Sequence, residues 1–257
     1  MNNKKGLILP GIILLVFLAF GVVSLIAAGD SGKAATNIFS KEKVGVHHTK
    51  LIVSPGEQIF VKNDDGKYNS CGLTATGTLE GRDIGITAGH CGEPGWDVYN
   101  SRSVVMGKIY ENGFTHVSSG PSDWAIIDFG DNIEIKDDNK YSFGTPDVGD
   151  HVSFDGNATG ESEGYVEDPG VIEYNLITDG YTAMTGRGVL TTAAVNPTDS
   201  GSPVRNSRNE ITGLVSAATS SGEYGTGKMI MTTLEDILES FRVLKNEDLQ
   251  IGGNGTE

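Results

Sequence analysis

The sequence predicts an all-β fold, an antiparallel sandwich or barrel finished by one C-terminal helix. Three observations predict it. Glycine is abundant, at 36 of 257 residues, while charged residues make up only 21%, a composition that suits short strands and tight turns. From Gln58 onward, short strand-like runs recur between turn signals. Helical periodicity stands out at one place only, near the C-terminus.

The runs follow in order. Ile59-Phe60-Val61 precedes the turn Asp64-Asp65-Gly66, and Leu73 to Thr78 precedes Glu80-Gly81. Asp83 to Ala88 alternates apolar and other residues, and Val104 to Tyr110 and Trp124 to Phe129 follow. Further runs are His151 to Phe154, Gly188 to Ala194, Ile211 to Ser216 and Met229 to Met231. Thr232 and Glu235 read as a capping box, after which Leu234, Ile237, Leu238 and Phe241 share one helical face. No repeat of 20–50 residues is visible. A chain of 257 residues fits one ordinary domain or two packed barrels of a single all-β unit.

The N-terminus differs. Lys4 and Lys5 precede a run of 24 uncharged residues, Gly6 to Gly29. Such a segment is a secretory signal or a membrane anchor. The preceding lysines stay in the cytoplasm, so the rest is expected outside it, secreted or tethered to the outer face of the membrane. Ala27-Ala28-Gly29 offers a signal peptidase small residues, yet the run is long enough to span. The expected organisation is therefore a signal or anchor at 1–29, a tether at 30–56, a folded domain at 57–245 and a disordered tail at 246–257.

The net charge is −15, which argues against nucleic acid, because phosphate binding needs clustered Lys and Arg. Cys71 and Cys91 are the only cysteines. Outside the cell they can pair; free thiols or half of a metal site are the alternatives. His47-His48 could ligate a metal, but a solvated tether is the plainer reading. His116 and His151 read as surface or turn residues. Asp131 to Asp138 could hold calcium or be a solvated loop. No cofactor or metal is expected, and the chain is expected to act as a monomer.

Three segments carry chemistry: Thr87-Ala88-Gly89-His90-Cys91, Ser122-Asp123-Trp124-Ala125-Ile126-Ile127-Asp128 and Thr198-Asp199-Ser200-Gly201-Ser202-Pro203. A serine hydroxyl needs a base before it attacks a carbonyl. Imidazole is that base near neutral pH, and a buried carboxylate fixes its tautomer. Asp123, directly before Trp-Ala-Ile-Ile, is favoured over Asp128 as that carboxylate.

These segments resemble those of the chymotrypsin family, in its secreted bacterial branch. The first is similar to Thr-Ala-Ala-His-Cys, with Gly89 for the second Ala, and the third to Gly-Asp-Ser-Gly-Gly-Pro. The order His, Asp, Ser is also the family's. The resemblance covers about residues 56 to 245. It implies two antiparallel six-stranded β-barrels with a C-terminal helix, and serine endopeptidase activity on proteins or peptides. It implies His90, Asp123 and Ser200 as the catalytic triad, an oxyanion hole from the N–H groups of Thr198 and Ser200, and a Cys71–Cys91 disulfide. The primary pocket would have Ala194 at its floor and Ser216, Ala217 and Ala218 as its wall, suiting a neutral side chain.

The chain departs from the pattern at Thr198 and Ser202, where the family has Gly. A clean Ile-Val-Gly-Gly start, whose new amine could pair with Asp199, is not evident, and Arg187 or Arg205 is a candidate substitute. Two other functions fit the same scaffold: a non-catalytic peptide-binding or adhesion module at the cell surface, and an esterase.

Overall fold

The computed structural model describes residues 50–115, 122–176, 184–220 and 225–252. Turn chemistry organises the first half. β1 (Leu51–Val53), β2 (Gln58–Lys62), β3 (Tyr68–Gly72), β4 (Ala75–Leu79) and β5 (Arg82–Thr87) lead to β6 (Asp97–Asn100), β7 (Val105–Asn112), β8 (Ala125–Phe129) and β9 (Ile133–Ile135). β4 and β5 are joined by Glu80 and Gly81, at φ 51° and 77°, the two left-handed positions that match a hairpin's twist. Asn100 closes the β6–β7 turn by accepting the N–H groups of Arg102 and Val104 at 3.0 and 2.9 Å.

The second half comprises β10 (His151–Gly156), β11 (Gly160–Leu176), β12 (Met184–Ala194), β13 (Pro203–Asn206), β14 (Ile211–Ala218) and β15 (Lys228–Thr233). These six close a barrel in the order β10-β11-β12-β15-β14-β13. Val152, Phe154, Val189, Val204, Val215 and Met231 belong to the buried cluster of this half.

The first half is a longer ladder than the second. It is an eight-stranded sheet in the order β16-β4-β5-β8-β7-β6-β2-β3, where β16 is Gln250–Ile251. β3 and β4 are one run of chain that links β2 to β5: Leu73 exchanges hydrogen bonds with Gly56 and Glu57 beside β2, and Thr74 N donates to Ile86 O on β5, while β16 adds to the other edge of β4, with Gln250 opposite Thr78 and Ile251 opposite Gly77. Gly72, at the end of β3, gives its N–H to Ser200 O.

Two expected boundaries shift. Leu51–Val53, within the stretch read as a tether, pairs in parallel with β9. Gln250 and Ile251, read as tail, are the strand just described. The N-terminal apolar segment lies outside the described residues, as do residues 253–257. Among the described residues no helix is long and apolar enough to cross a membrane.

The helix α1 (Leu234–Lys245) starts one residue later than the capping box suggests. Thr232 is still paired with Leu214 in β15, so Thr233 is the cap; its hydroxyl accepts from Asp236 N at 3.1 Å and donates to Asp236 Oδ2 at 2.8 Å. Leu234, Ile237 and Phe241 face the core of the first half, and Trp124 meets Phe241 edge-on with ring centres 5.7 Å apart.

Candidate active site

His90 stands on a single 3-10 turn, Gly89–Cys91, directly after β5. Asn112 holds that turn by donating its amide to Gly89 O and Gly92 O, both at 2.7 Å. Cys91 is disulfide-bonded to Cys71 on β3. The structure also explains Gly89. A Cβ there would lie 2.8 Å from Phe114 Cβ and 2.9 Å from Asn112 Oδ1.

Asp123 lies two residues before the start of β8. It is held in place by its neighbour, because the Trp124 indole N–H donates to Ser240 Oγ on α1 at 3.1 Å. The Asp123 side chain is 0% exposed and that of His90 is 13% exposed.

Ser200 lies in the turn between β12 and β13, which bridges both halves. Gly72 N donates to Ser200 O, and Gly201 N to Val215 O, each at 2.8 Å. Thr74 Oγ1 donates to Gly201 O at 2.7 Å. Gly201 has φ 78°, and a Cβ there would sit 2.5 Å from both Gly72 O and Thr87 Oγ1. Only glycine fits this turn.

The three side chains meet in a line. His90 Nδ1 is 2.9 Å from Asp123 Oδ2 and 3.1 Å from Oδ1, and His90 Nε2 is 2.8 Å from Ser200 Oγ. The His90 backbone N–H also donates to Asp123 Oδ1, at 2.9 Å. An ionised carboxylate only accepts, so Nδ1 carries the proton and Nε2 is left to accept from the Ser200 hydroxyl. Burial alone would lower the His90 pKa; the charge and hydrogen bond of Asp123 outweigh it, and the value is raised. Burial alone would raise the Asp123 pKa; His90, Ser216 and the His90 N–H outweigh it and hold it low. The arrangement can move a proton from a serine hydroxyl to a base whose cationic form is stabilised.

The other residues fall as follows. Thr198 has φ 79°, the left-handed region that a β-branched residue adopts only under constraint. Among the described residues, the N–H groups of Thr198 and Ser200 have no hydrogen-bond partner. Ala194 and Ala218 flank β15 at one end of the barrel, opposite Lys228 and Met229. Ala217 is buried against Leu190 and Ile230. The Ser216 hydroxyl donates to Asp123 Oδ2. Asp128 pairs with Arg82 instead of a histidine, and His151 lies on the barrel surface, 3.2 Å from Glu163. His47, His48 and His116 lie outside the described residues. Asp137, in the segment weighed for calcium, accepts from Thr76, Tyr141 and Asn139. Among the described residues no group of three or more His, Cys, Asp or Glu could hold a metal ion.

Neither candidate arginine reaches Asp199. Arg205 donates to Asn139 Oδ1 at 2.7 Å and Asn209 O at 3.2 Å, and Arg187 is exposed on β12. The partners of Asp199 are Ala158, Thr159 and Asn196, small or neutral residues without a sequence signal.

No protein-family model and no curated protein matches the sequence. Solved structures do match. Thermobifida fusca protease A is 18% identical over 79% of this chain and 100% of its own, with a TM-score of 0.58. A Nocardiopsis protease is 19% identical over 78% and 99%, also at 0.58. Cellulomonas bogoriensis chymotrypsin is 20% identical over 78% and 98%, at 0.56. The chain has the fold of the bacterial chymotrypsin-like serine proteases. Within that chymotrypsin-like fold, His90 and Asp123 come from the first half and Ser200 and Ser216 from the second, so the site depends on both halves.

Proposed function

We propose that the chain is a serine endopeptidase that cleaves proteins or peptides outside the cytoplasm through an acyl-enzyme. The observation that carries the proposal is the hydrogen-bonded line Asp123–His90–Ser200, with Nε2 2.8 Å from Ser200 Oγ. His90 takes the Ser200 proton as Oγ attacks the scissile carbonyl. The imidazolium that forms is stabilised by the buried Asp123. His90 then protonates the leaving amine, and water completes hydrolysis by the same route in reverse. The N–H groups of Thr198 and Ser200 serve the oxyanion, each typically worth about 3 kcal/mol in the transition state. The neutral residues Ala194, Ala217 and Ala218 suit an uncharged side chain at the cleavage site. The apolar segment Gly6–Gly29 supports export, as a cleaved signal or as an anchor.

The test is a fluorophosphonate probe read by intact mass, on wild type and Ser200→Ala. One adduct on wild type alone is the expected result, together with turnover reduced by roughly 10⁴ or more in Ser200→Ala. A folded wild type that takes no adduct, before or after limited proteolysis, would leave the peptide-binding module as the reading. Comparing a peptide amide with the matching ester separates a peptidase from an esterase.

A further inference from the structure

The Asp199 carboxylate is fully buried, next in the chain to Ser200. A carboxylate offers about four lone-pair sites, and four donors fill them. Oδ1 accepts from Ala158 N at 2.7 Å and Thr159 N at 3.1 Å. Oδ2 accepts from Asn196 N at 2.9 Å and from the Thr159 hydroxyl. That hydroxyl also accepts from Asn196 Nδ2 at 2.9 Å, which leaves its proton directed at Asp199. Three of the four donors belong to the turn joining β10 to β11. Gly156, at its start, lets the turn approach, since a Cβ there would lie 2.4 Å from Asp199 Oδ1.

The same turn also holds the residue before Asp199. Asn157 Nδ2 lies 3.3 Å from Thr198 O and from Cys71 O. Both neighbours only accept, so the amide nitrogen must face them. Thr198 is the residue in the left-handed region; its carbonyl shares a peptide plane with the Asp199 N–H, which donates to Asn196 O at 3.3 Å, so holding that carbonyl fixes the peptide that follows Thr198. The turn thus binds residues 198 and 199 together, one by its carbonyl and the other by its carboxylate.

We propose that the β10–β11 turn sets the Ser200 loop in working shape, with Asn157 and Thr159 as positioning residues, and that the chain therefore needs no proteolytic cut to become active. This rests on the serine peptidase reading. An activating amine or guanidinium would need a lone pair on Asp199, and the turn has used them. Neutral donors from the domain itself take the place of a cation created by processing.

The experiment uses the full chain, its N-terminus verified by intact mass, with a fluorophosphonate probe resolved into kinact and KI. Intact wild type is expected to label. Thr159→Val and Asn157→Ala are expected to lower kinact by roughly tenfold at unchanged KI, the effect of about one lost hydrogen bond. Thr159→Ser, which keeps the hydroxyl, should restore the rate. A loop that merely unfolds would instead reduce the labelled fraction. If Thr159→Val does not fold, Asn157→Ala, at an exposed position, decides. Wild-type rates in the folded variants overturn the proposal. So does a wild type that labels only after a cut upstream of Lys50, a result that leaves the peptidase reading standing. Failure to label both before and after such a cut removes the peptidase reading and the proposal together.

Discussion

Ser216 donates its hydroxyl to Asp123 Oδ2, the same carboxylate oxygen that lies 2.9 Å from His90 Nδ1. The carboxylate is wholly buried, so this donor cannot be replaced by bulk water. Ser216→Ala should cost about 2 kcal/mol of stability, the range for a bond to a charged group. It should slow fluorophosphonate labelling by less than about tenfold, because His90 still binds both oxygens. Urea melts and labelling rates measured on the same preparation check this. Unchanged stability would mean that the hydroxyl contributes nothing to holding the charge.

The His90–Asp123 couple makes a prediction with two signs. The His90 pKa is raised, with burial opposing and Asp123 prevailing. A base must be neutral to act, so labelling should rise with pH through a midpoint above the ordinary histidine value of about 6.5. For stability the direction is opposite. The His90 contribution is complete below the ordinary value and is lost as pH rises through the raised one. The Asp123 pKa is lowered, so its contribution is complete above the ordinary carboxylate value and is lost as pH falls through the lowered one. In Asp123→Asn the burial of His90 is no longer offset, and its midpoint should move below the ordinary value. An NMR titration of the imidazole, which needs no activity, reads both midpoints.

What the sequence shows of this site follows from how local each signal is. His90, Asp123 and Ser200 each sit in a five- to seven-residue segment whose chemistry is visible without the fold. The pairing of Gln250–Ile251 with β4 joins residues 172 positions apart, Thr78 and Gln250, and Gln-Ile carries no strand signature. β3 reads Tyr-Asn-Ser-Cys-Gly, without the alternation that marks a half-buried strand. The donors to Asp199 are mostly backbone N–H groups, which every residue but proline has. The helix start is off by one because Thr232 and Thr233 are both good caps, and only the extent of β15 chooses between them.

The Cys71–Cys91 bond ties β3 to the turn that carries His90, across a separation of 20 residues. In the chain-entropy picture such a loop is worth roughly 3 kcal/mol. Replacing both cysteines by alanine should lower the unfolding free energy by about that amount, with an unchanged denaturant slope if the denatured state stays as open. Labelling of the folded fraction should fall less than stability does, because Asn112 and Asp123 still hold the His90 turn. A double variant as stable as wild type would contradict this.

Gly89 gives a prediction against the resemblance, which has alanine at this position. The added Cβ would meet Phe114 Cβ, Asn112 Oδ1 and Trp124 O between 2.8 and 2.9 Å. Two of these belong to the scaffold of His90 and Asp123. Gly89→Ala should therefore destabilise by about 1–3 kcal/mol, the usual cost of overpacking, and should slow labelling as well. Thermal melts beside labelling rates test it. A variant of wild-type stability would show that Phe114 and Asn112 can yield without cost.

Thr198 has the opposite balance. At φ 79° a β-branched residue carries strain of about 1–3 kcal/mol. Glycine would relieve that strain, while its greater freedom in the unfolded chain costs about 0.5–1 kcal/mol. The side chain is exposed, so little packing is lost. Thr198→Gly should thus stabilise by about 1 kcal/mol and leave the labelling rate within a few-fold of wild type, since Asn157 still holds the peptide that follows residue 198. If Thr198→Gly combined with Asn157→Ala loses more rate than the two changes separately, the amide is what orients the peptide once the side chain no longer restricts it. Strict additivity would mean that residue 198 keeps its conformation without Asn157, and that the strain is held by the Asp199 contacts alone.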